Sequence, residues 1–257
     1  MGMTVRPLRR LLPLVALPFA VSVFAAACGG SPALATHLSS GCRDGDRVAL
    51  TFDDGPNPPY TGQILDALVN AGVRATFFVE GQAVEADPAT VRREIAAGMA
   101  VGAHSYAHAK ELPDMSQQDF AGDLRRSGDA IAAAAGLRPA LFRAPYGHTS
   151  DTMLRALREV GYTSIGWDVD SEDWSGAPAD TIVANVLDRA HPGAIVLMHD
   201  GGLGGGHADR AATLAALPRI IDGLRGQGYA LVTIPELTGA PASHDAAQPR
   251  EATCSAN

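Results

Sequence analysis

The chain has 257 residues, 46% of them apolar and 19% charged, which is material for one substantial buried core and not for a globally disordered chain. Its formal net charge is −8 and no cationic patch stands out, so nucleic acid is not an expected partner.

At the start of the chain, Arg6, Arg9 and Arg10 precede an acid-free apolar run at 11–27, interrupted by Pro13 and Pro18. The run is shorter than the ~20 residues a spanning helix needs. This layout predicts an export signal over 1–27 and not a membrane anchor. Its end reads in two ways. Cys28 followed by Gly29-Gly30-Ser31 resembles a lipoprotein site, whose cysteine carries the lipid; Ala33-Leu34-Ala35 offers an ordinary small-x-small cleavage site. The protein is therefore expected to be exported, either tethered at the cell surface or released, and any membrane link runs through lipid on Cys28. Residues 28–42 read as a linker, 43–238 as the folded body and 239–257 as a polar tail. Cys42 and Cys254 flank that body. Domain termini often lie close together and an oxidising compartment permits a bridge, so a Cys42–Cys254 disulfide stands beside two free thiols as the alternative.

Within the body, β-rich runs at 48–52, 75–79, 99–103, 140–143, 163–169, 194–198 and 229–234 alternate with helix-like stretches. The stretch 60–71 carries Ile64, Leu65, Leu68 and Val69 at helical spacing and stops at Gly72. Ser116 and Asp119 form a capping-box pattern that opens a long helix ending at Gly136. Further helices are predicted at 150–160, stopped by Gly161, at 179–190 and at 211–225. Repeated strand–helix alternation predicts parallel strands with helical crossovers, in a barrel or an open doubly wound sheet.

In such folds function collects where strands end, and the unusual polar residues fall there. Asp53 and Asp54 follow the first run, His104 the third, Arg143 the fourth, Asp168 to Trp174 the fifth and His199 the sixth. Two adjacent carboxylates repel each other unless something neutralises them, although Asp-Gly-Pro is also ordinary turn chemistry. His104 and His108 are four apart, and one helical turn would put both imidazoles on one side, ready for a divalent ion. With a carboxylate they make a two-histidine, one-carboxylate set that leaves positions open for water and substrate.

TFDDGP at 51–56, HSYAH at 104–108, RAPYG at 143–147, DSEDW at 170–174 and IVLMH at 195–199 occur in that order. Together they resemble the motifs of the polysaccharide deacetylases, carbohydrate esterase family four with its NodB-homology domain. Each fragment is modestly specific; the ordered set, which spans the whole folded body, is highly specific. The resemblance implies a distorted (β/α) barrel, here with about seven parallel strands. It implies removal of N- or O-linked acetyl groups from a polysaccharide: peptidoglycan, a chitin-like chain or acetylxylan. It assigns Asp54, His104 and His108 to a divalent metal, most often zinc and in some members cobalt. Asp53 would be the general base, paired with Arg143. His199 would be the general acid, tuned by Asp173. The Tyr146 backbone N–H would stabilise the oxyanion; Tyr146 and Trp174 are the expected substrate-binding residues, the Trp174 ring packing on the sugar face. The competing reading is a surface saccharide-binding lipoprotein that keeps the fold without turnover, although such a module needs neither Asp53 nor His199. The glycine-rich run 201–206 after His199 has no phosphate-loop Lys-Ser/Thr and reads as a flexible loop beside the acid.

Overall fold

The computed structural model describes residues 1–2, 34–43 and 45–245. Nine strands are described: β1 (His37–Leu38), β2 (Arg47–Gly55), β3 (Thr76–Val79), β4 (Ala100–Ala103), β5 (Leu141–Phe142), β6 (Thr163–Ile165), β7 (Val169–Asp170), β8 (Ile195–His199) and β9 (Ala230–Leu231). Eight helices accompany them: α1 (Tyr60–Asn70), α2 (Gly81–Ala86), α3 (Pro88–Ala96), α4 (Gln117–Ala135), α5 (Asp151–Val160), α6 (Ala179–Leu187), α7 (Ala211–Gly226) and α8 (Ile234–Thr238). Every described ladder is parallel, in the order β1-β6-β5-β4-β3-β2-β8-β7 with β9 beside the start of β2. The curled sheet with its helices is a distorted α/β barrel, as the resemblance implied.

The chain departs from its predicted elements at several places, and α2 and α3 have no counterpart among the predicted helices. The run 163–169 is two strands far apart in the sheet, β6 one strand in from the β1 end and β7 at the other end, so residues 166–168 carry the chain across from β6 to β7. The stretch expected to be linker contributes β1, which pairs with β6 in the register His37 to Ser164. The last β-rich run stops after two residues, because Thr233 caps α8 in a capping box with Glu236. In the tail, Ala140 N–H donates to the Ala242 carbonyl and His244 N–H to the Arg138 carbonyl, so residues beyond 238 still pair with the body. Helix ends otherwise follow the sequence signals. The Ser116 side chain accepts from Asp119 N–H at the start of α4, and Gly136 closes it at φ 72°; Gly161 closes α5 at φ 88°. The signal over 1–27, the lipid site at Cys28 and Cys254 lie almost wholly or wholly outside the described residues. Cys42 is buried and disulfide-bonded. Among the described residues no helix is long and apolar enough to cross a membrane.

Strand alternation positions the site. Successive strand side chains point to opposite faces. Val48, Leu50 and Phe52 on β2 join the large cluster under the helices, while Ala49 joins the inner cluster with Phe78, Leu141, Ile165 and Ile195. Continuing the inner phase leads to Asp53 on β2, to Arg143 just past Leu141, and from Ile195 through Leu197 to His199. The apolar interior thus changes to charge over the last residue or two of each strand.

Candidate active site

Asp53 is buried at the inner rim, directly opposite His199 in the β2–β8 register. Arg143 Nη1 donates to Asp53 Oδ1 at 2.8 Å and to Thr51 Oγ1 at 2.7 Å. Arg143 is fully buried, over the Phe78 ring at 4.2 Å, and its Nη2 donates to the Gly166 carbonyl at 2.9 Å. A buried ion pair holds only when its remaining hydrogen-bonding groups are satisfied, and these neighbours satisfy the guanidinium. The duller reading of Arg143, a structural partner, is compatible with this geometry: the residue both braces the rim and faces the carboxylate.

A register shift between Asp53 and Gly55 and a left-handed backbone at Asp54, φ 73°, turn the next carboxylate the other way. Asp54 Oδ1 lies 3.3 Å from His104 Nε2 and 3.4 Å from His108 Nε2. The predicted helical turn at 104–108 is absent: the segment is a loop, with Ser105 at φ 65° and His108 at φ 53°. The Ser105 hydroxyl accepts from His108 N–H at 2.9 Å, and this local bond folds the loop so that both rings converge. His104 Nδ1–H donates to the Arg143 carbonyl at 2.9 Å, which fixes the tautomer and leaves Nε2 with a lone pair facing Asp54.

Among the described residues, Asp54, His104 and His108 are the group of possible metal-ligating side chains whose donor atoms all lie within 4.8 Å of one another. Both Asp54 oxygens are buried without a hydrogen-bond partner. A buried carboxylate left so is costly, and one oxygen donor with two imidazole nitrogens suits a zinc-like divalent ion. The charges point the same way. Burial alone would raise Asp54, but the adjoining His104, then His199 and His108, hold its pKa at about 2. Burial and the charge of His104 push His108 down to about 4, so it is a neutral imidazole. Burial opposes charge on His104 too, but Asp53 and Asp54 raise its pKa. A cation is wanted between these anions, and a divalent ion supplies it in place of a proton. The residues fit the group the resemblance implied.

On the other side, His199 Nδ1–H donates to Asp173 Oδ1 at 2.7 Å, while Asp173 Oδ2 accepts from His199 N–H at 2.9 Å and from the Thr213 hydroxyl at 2.8 Å. Burial would lower the pKa of His199, but Asp173, with Asp54 and Asp53, pushes it up to about 9. The two predicted pairs, Asp53–Arg143 and Asp173–His199, are thus both in contact. Tyr146, at φ 57°, packs edge-on against His108 with centroids 4.6 Å apart. Trp174 is exposed, and its Nε1–H donates to Asp170. All nine predicted site residues are gathered at the rim. Asp53, Asp54, both ligand-type histidines, Tyr146, Trp174 and His199 line one groove of about 410 Å³; Arg143 and Asp173 stand behind it. Asp170 also lines it, and accepts from Glu172 N–H as a loop cap, whereas Asp168 accepts from Ile195 N–H. Leu197 and Ile234 are buried, as expected.

Sequence reasoning missed several neighbours. Glu80 is buried, with its pKa raised to about 8 by burial and then by Asp54. Its Oε1 accepts from Gly204 N–H, anchoring the 201–206 segment, which forms a short 3₁₀ turn at Leu203–Gly205. Asp200 is likewise buried, its pKa raised to about 7 by burial, with Asp54 and Asp53 adding to it against the Thr61 hydrogen bond. Arg210 Nε donates to the Gly201 carbonyl at 2.8 Å, and the residue lines the groove. The only signal for Asp200 was its place after His199; Glu80 and Arg210 come from elements outside the motifs.

The polysaccharide deacetylase family model matches residues 40–165. A peptidoglycan-N-acetylglucosamine deacetylase of Bacillus cereus is 35% identical over 201 residues, covering 78% of this chain and 71% of that protein. A chitooligosaccharide deacetylase of Sinorhizobium fredii is 38% identical over 200 residues, covering 74% of this chain and 90% of that protein. The crystal structure of the Bc1960 peptidoglycan N-acetylglucosamine deacetylase superposes with a TM-score of 0.77 at 33% identity, covering 82% of this chain and 96% of that one.

Proposed function

The chain belongs to the polysaccharide deacetylase family, and on that premise we propose that it hydrolyses the acetamido group of N-acetylglucosamine residues in a cell-wall or chitin-like glycan. The observation that carries the reading is one groove holding the Asp54, His104 and His108 donor set with Asp53 on one side and His199 on the other. A divalent ion held by those three donors, zinc by the nature of the donors, would polarise the acetyl carbonyl and lower the pKa of a bound water. Asp53, held in place by Arg143, takes the proton from water as the water oxygen bonds to the carbonyl carbon. The Tyr146 amide stabilises the oxyanion that develops there. The carbon–nitrogen bond then breaks as His199 gives its proton to nitrogen, so the products are acetate and the free amine of the sugar. An amine leaves poorly unless protonated, and the Asp173 contact keeps His199 charged for that step.

The amide substrate is favoured over the acetylxylan ester because both the Bacillus and Sinorhizobium relatives carry names of N-acetylated-sugar deacetylases. The N-terminal sequence supports export to the envelope, with Cys28 as the anchoring residue if lipid is attached. The test is acetate release from chitooligosaccharides, peptidoglycan and acetylxylan by chelated protein and by the same protein reloaded with zinc. Release from the N-acetylglucosamine polymers, lost on chelation and restored by the metal, is expected. Zinc-loaded protein that binds these glycans but frees no acetate from any of the three would overturn catalysis in favour of the saccharide-binding reading.

A further inference from the structure

His104 follows β4 directly, and its N–H still donates to the Val79 carbonyl at 2.9 Å, so the sheet places it. His108 has no such support. It stands four residues further on, at the end of a loop with left-handed backbone at Ser105 and at His108 itself. That conformation is unfavourable for residues with a Cβ, and the Ser105–His108 bond is internal to the loop. The loop therefore needs holding from outside, and the neighbouring helices hold it. The carbonyls of Ser105 and Tyr106 accept from Gly81 N–H at 3.0 Å and Gln82 N–H at 2.8 Å, the first amides of α2, which have no acceptor in their own helix. A Cβ on Gly81 would stand 2.7 Å from the Tyr106 ring and 3.1 Å from the Ser127 Cα, so glycine there lets α2, α4 and the loop close up. Between the two histidines, Tyr106 N–H donates to the half-buried Asp123 carboxylate of α4, 3.1 Å from Oδ1 and 3.3 Å from Oδ2. One turn along α4, the Arg126 guanidinium carbon lies 3.5 Å from the Tyr106 ring centroid, and Tyr106 O–H donates to Glu85 at 2.9 Å.

Among the backbone ties of the loop, the one to Asp123 is charge-assisted, and such bonds are roughly twice as strong as neutral ones. Neither Asp123 oxygen has another hydrogen-bond partner among the described residues. The residue makes no hydrogen bond or ion pair with Asp54, His104 or His108, and the proton transfers do not use it. We propose that Asp123 is a positioning residue of the metal centre: by gripping the Tyr106 amide it sets the loop that carries His108 to Asp54 and His104, and so tightens the hold on a divalent ion. The inference deepens the deacetylase reading and rests on it for the ion; the brace itself rests on contacts outside the donor set.

The experiment compares the parent with Asp123→Ala, Asp123→Asn and Asp129→Ala. The last removes a carboxylate from the same helix where it pairs with Arg138, away from the loop. Zinc affinity of the chelated full chain is measured by competition with a chromophoric chelator. Hydrogen exchange of the chelated proteins is followed over 104–108 and over α4. Asp123→Ala should bind zinc about 10–100-fold more weakly, the usual effect of losing a group that orients a metal-binding side chain. Its 104–108 peptide should exchange about tenfold faster while α4 exchanges as in the parent. At saturating zinc its acetate release should return close to the parental rate, since the reacting groups are intact. Asp123→Asn keeps the shape and one acceptor oxygen but not the charge, so it should lose affinity severalfold and less than alanine does; it decides the matter if the alanine variant does not fold. Asp129→Ala should bind zinc as the parent does. Parental zinc affinity in the Asp123 variants would overturn the brace, as would an equal loss in Asp129→Ala, which would make the effect one of helix charge. A parent that binds no zinc would strike the donor set of the deacetylase reading, and exchange would then decide the brace: quickened exchange over 104–108 in Asp123→Ala supports it, and unchanged exchange sinks it.

Discussion

The rim of the barrel and the ends of its helices use the same unusual backbone conformation in opposite ways. Where α4, α5 and α8 end, the left-handed position is filled by Gly136, Gly161 and Gly239. Without a Cβ, glycine adopts that conformation freely. Around the groove, Asp54, Ser105, His108, Tyr146 and Glu172 hold positive φ with full side chains. Each such residue costs about 1–2 kcal/mol in backbone preference, and every one lies in or beside a motif. Glycine at Asp54 or His108 would relax the chain and delete a donor to the proposed ion. The contrast shows stability set aside locally where a side chain has to point against the run of its strand or loop.

The largest expected break in this contrast is Asp54→Ala. It removes the donor that the left-handed turn exists to present, so bound zinc and activity should vanish together. Activity should fall by more than about 10⁴-fold, beyond what one general acid supplies; full zinc occupancy measured by elemental analysis would refute the ligand role. His199→Ala should leave zinc in place and slow amide hydrolysis by about 10²–10⁴-fold, with activated esters less affected. Parental rates on the amide would end its assignment as acid. Asp173→Asn is milder, about 10–100-fold, as for other partners that orient a working residue. It also carries a pH signature. His199, pushed up to about 9 by Asp173 and the neighbouring carboxylates against its burial, is protonated at neutral pH and loses its proton as pH rises through that value. Without the Asp173 charge its pKa falls, so the alkaline limb of the kcat/KM profile should move to lower pH; an unmoved limb would count against the pair. The smallest effects test the backbone contrast itself. Gly136→Ala should destabilise the fold by about 1 kcal/mol, whereas Glu172→Gly should stabilise it by up to about 1 kcal/mol in chemical denaturation. The second variant also removes the exposed ion pair between Arg189 and Glu172, which is worth little. The same sign for both would mean that the rim is not strained.

What could be read ahead of the structure followed from periodicity and order. Val48, Leu50 and Phe52 alternate with Ala49 and Thr51 in the sequence, and that alternation alone carries Asp53 to the inner face. The motif set named the nine site residues that the structure gathers at the rim, but not their neighbours. What could not be read depended on contacts between distant segments. His37 is polar and has no periodic neighbours, so β1 shows only once Ser164 is beside it. Residues 163–169 look like one β-rich strand, because nothing local says that β6 and β7 belong to opposite halves of the sheet. His104 and His108 were spaced for a helix, yet Ser105 folds them into a loop and reaches the same convergence by another path. Glu80 and Arg210 stand on segments whose own sequence gives no sign of the groove.

The three-residue strap from β6 to β7 has a consequence for the proton acceptor. Among the described residues, β1 and β7 end the ladder without pairing to each other, so the ring is joined at that seam through the chain itself. Arg143 clasps the strap at the Gly166 carbonyl with one hand and holds Asp53 with the other. Any breathing of the seam that pulls the strap outward takes an acceptor away from the guanidinium, so the looseness of the ring and the readiness of the base are mechanically one property.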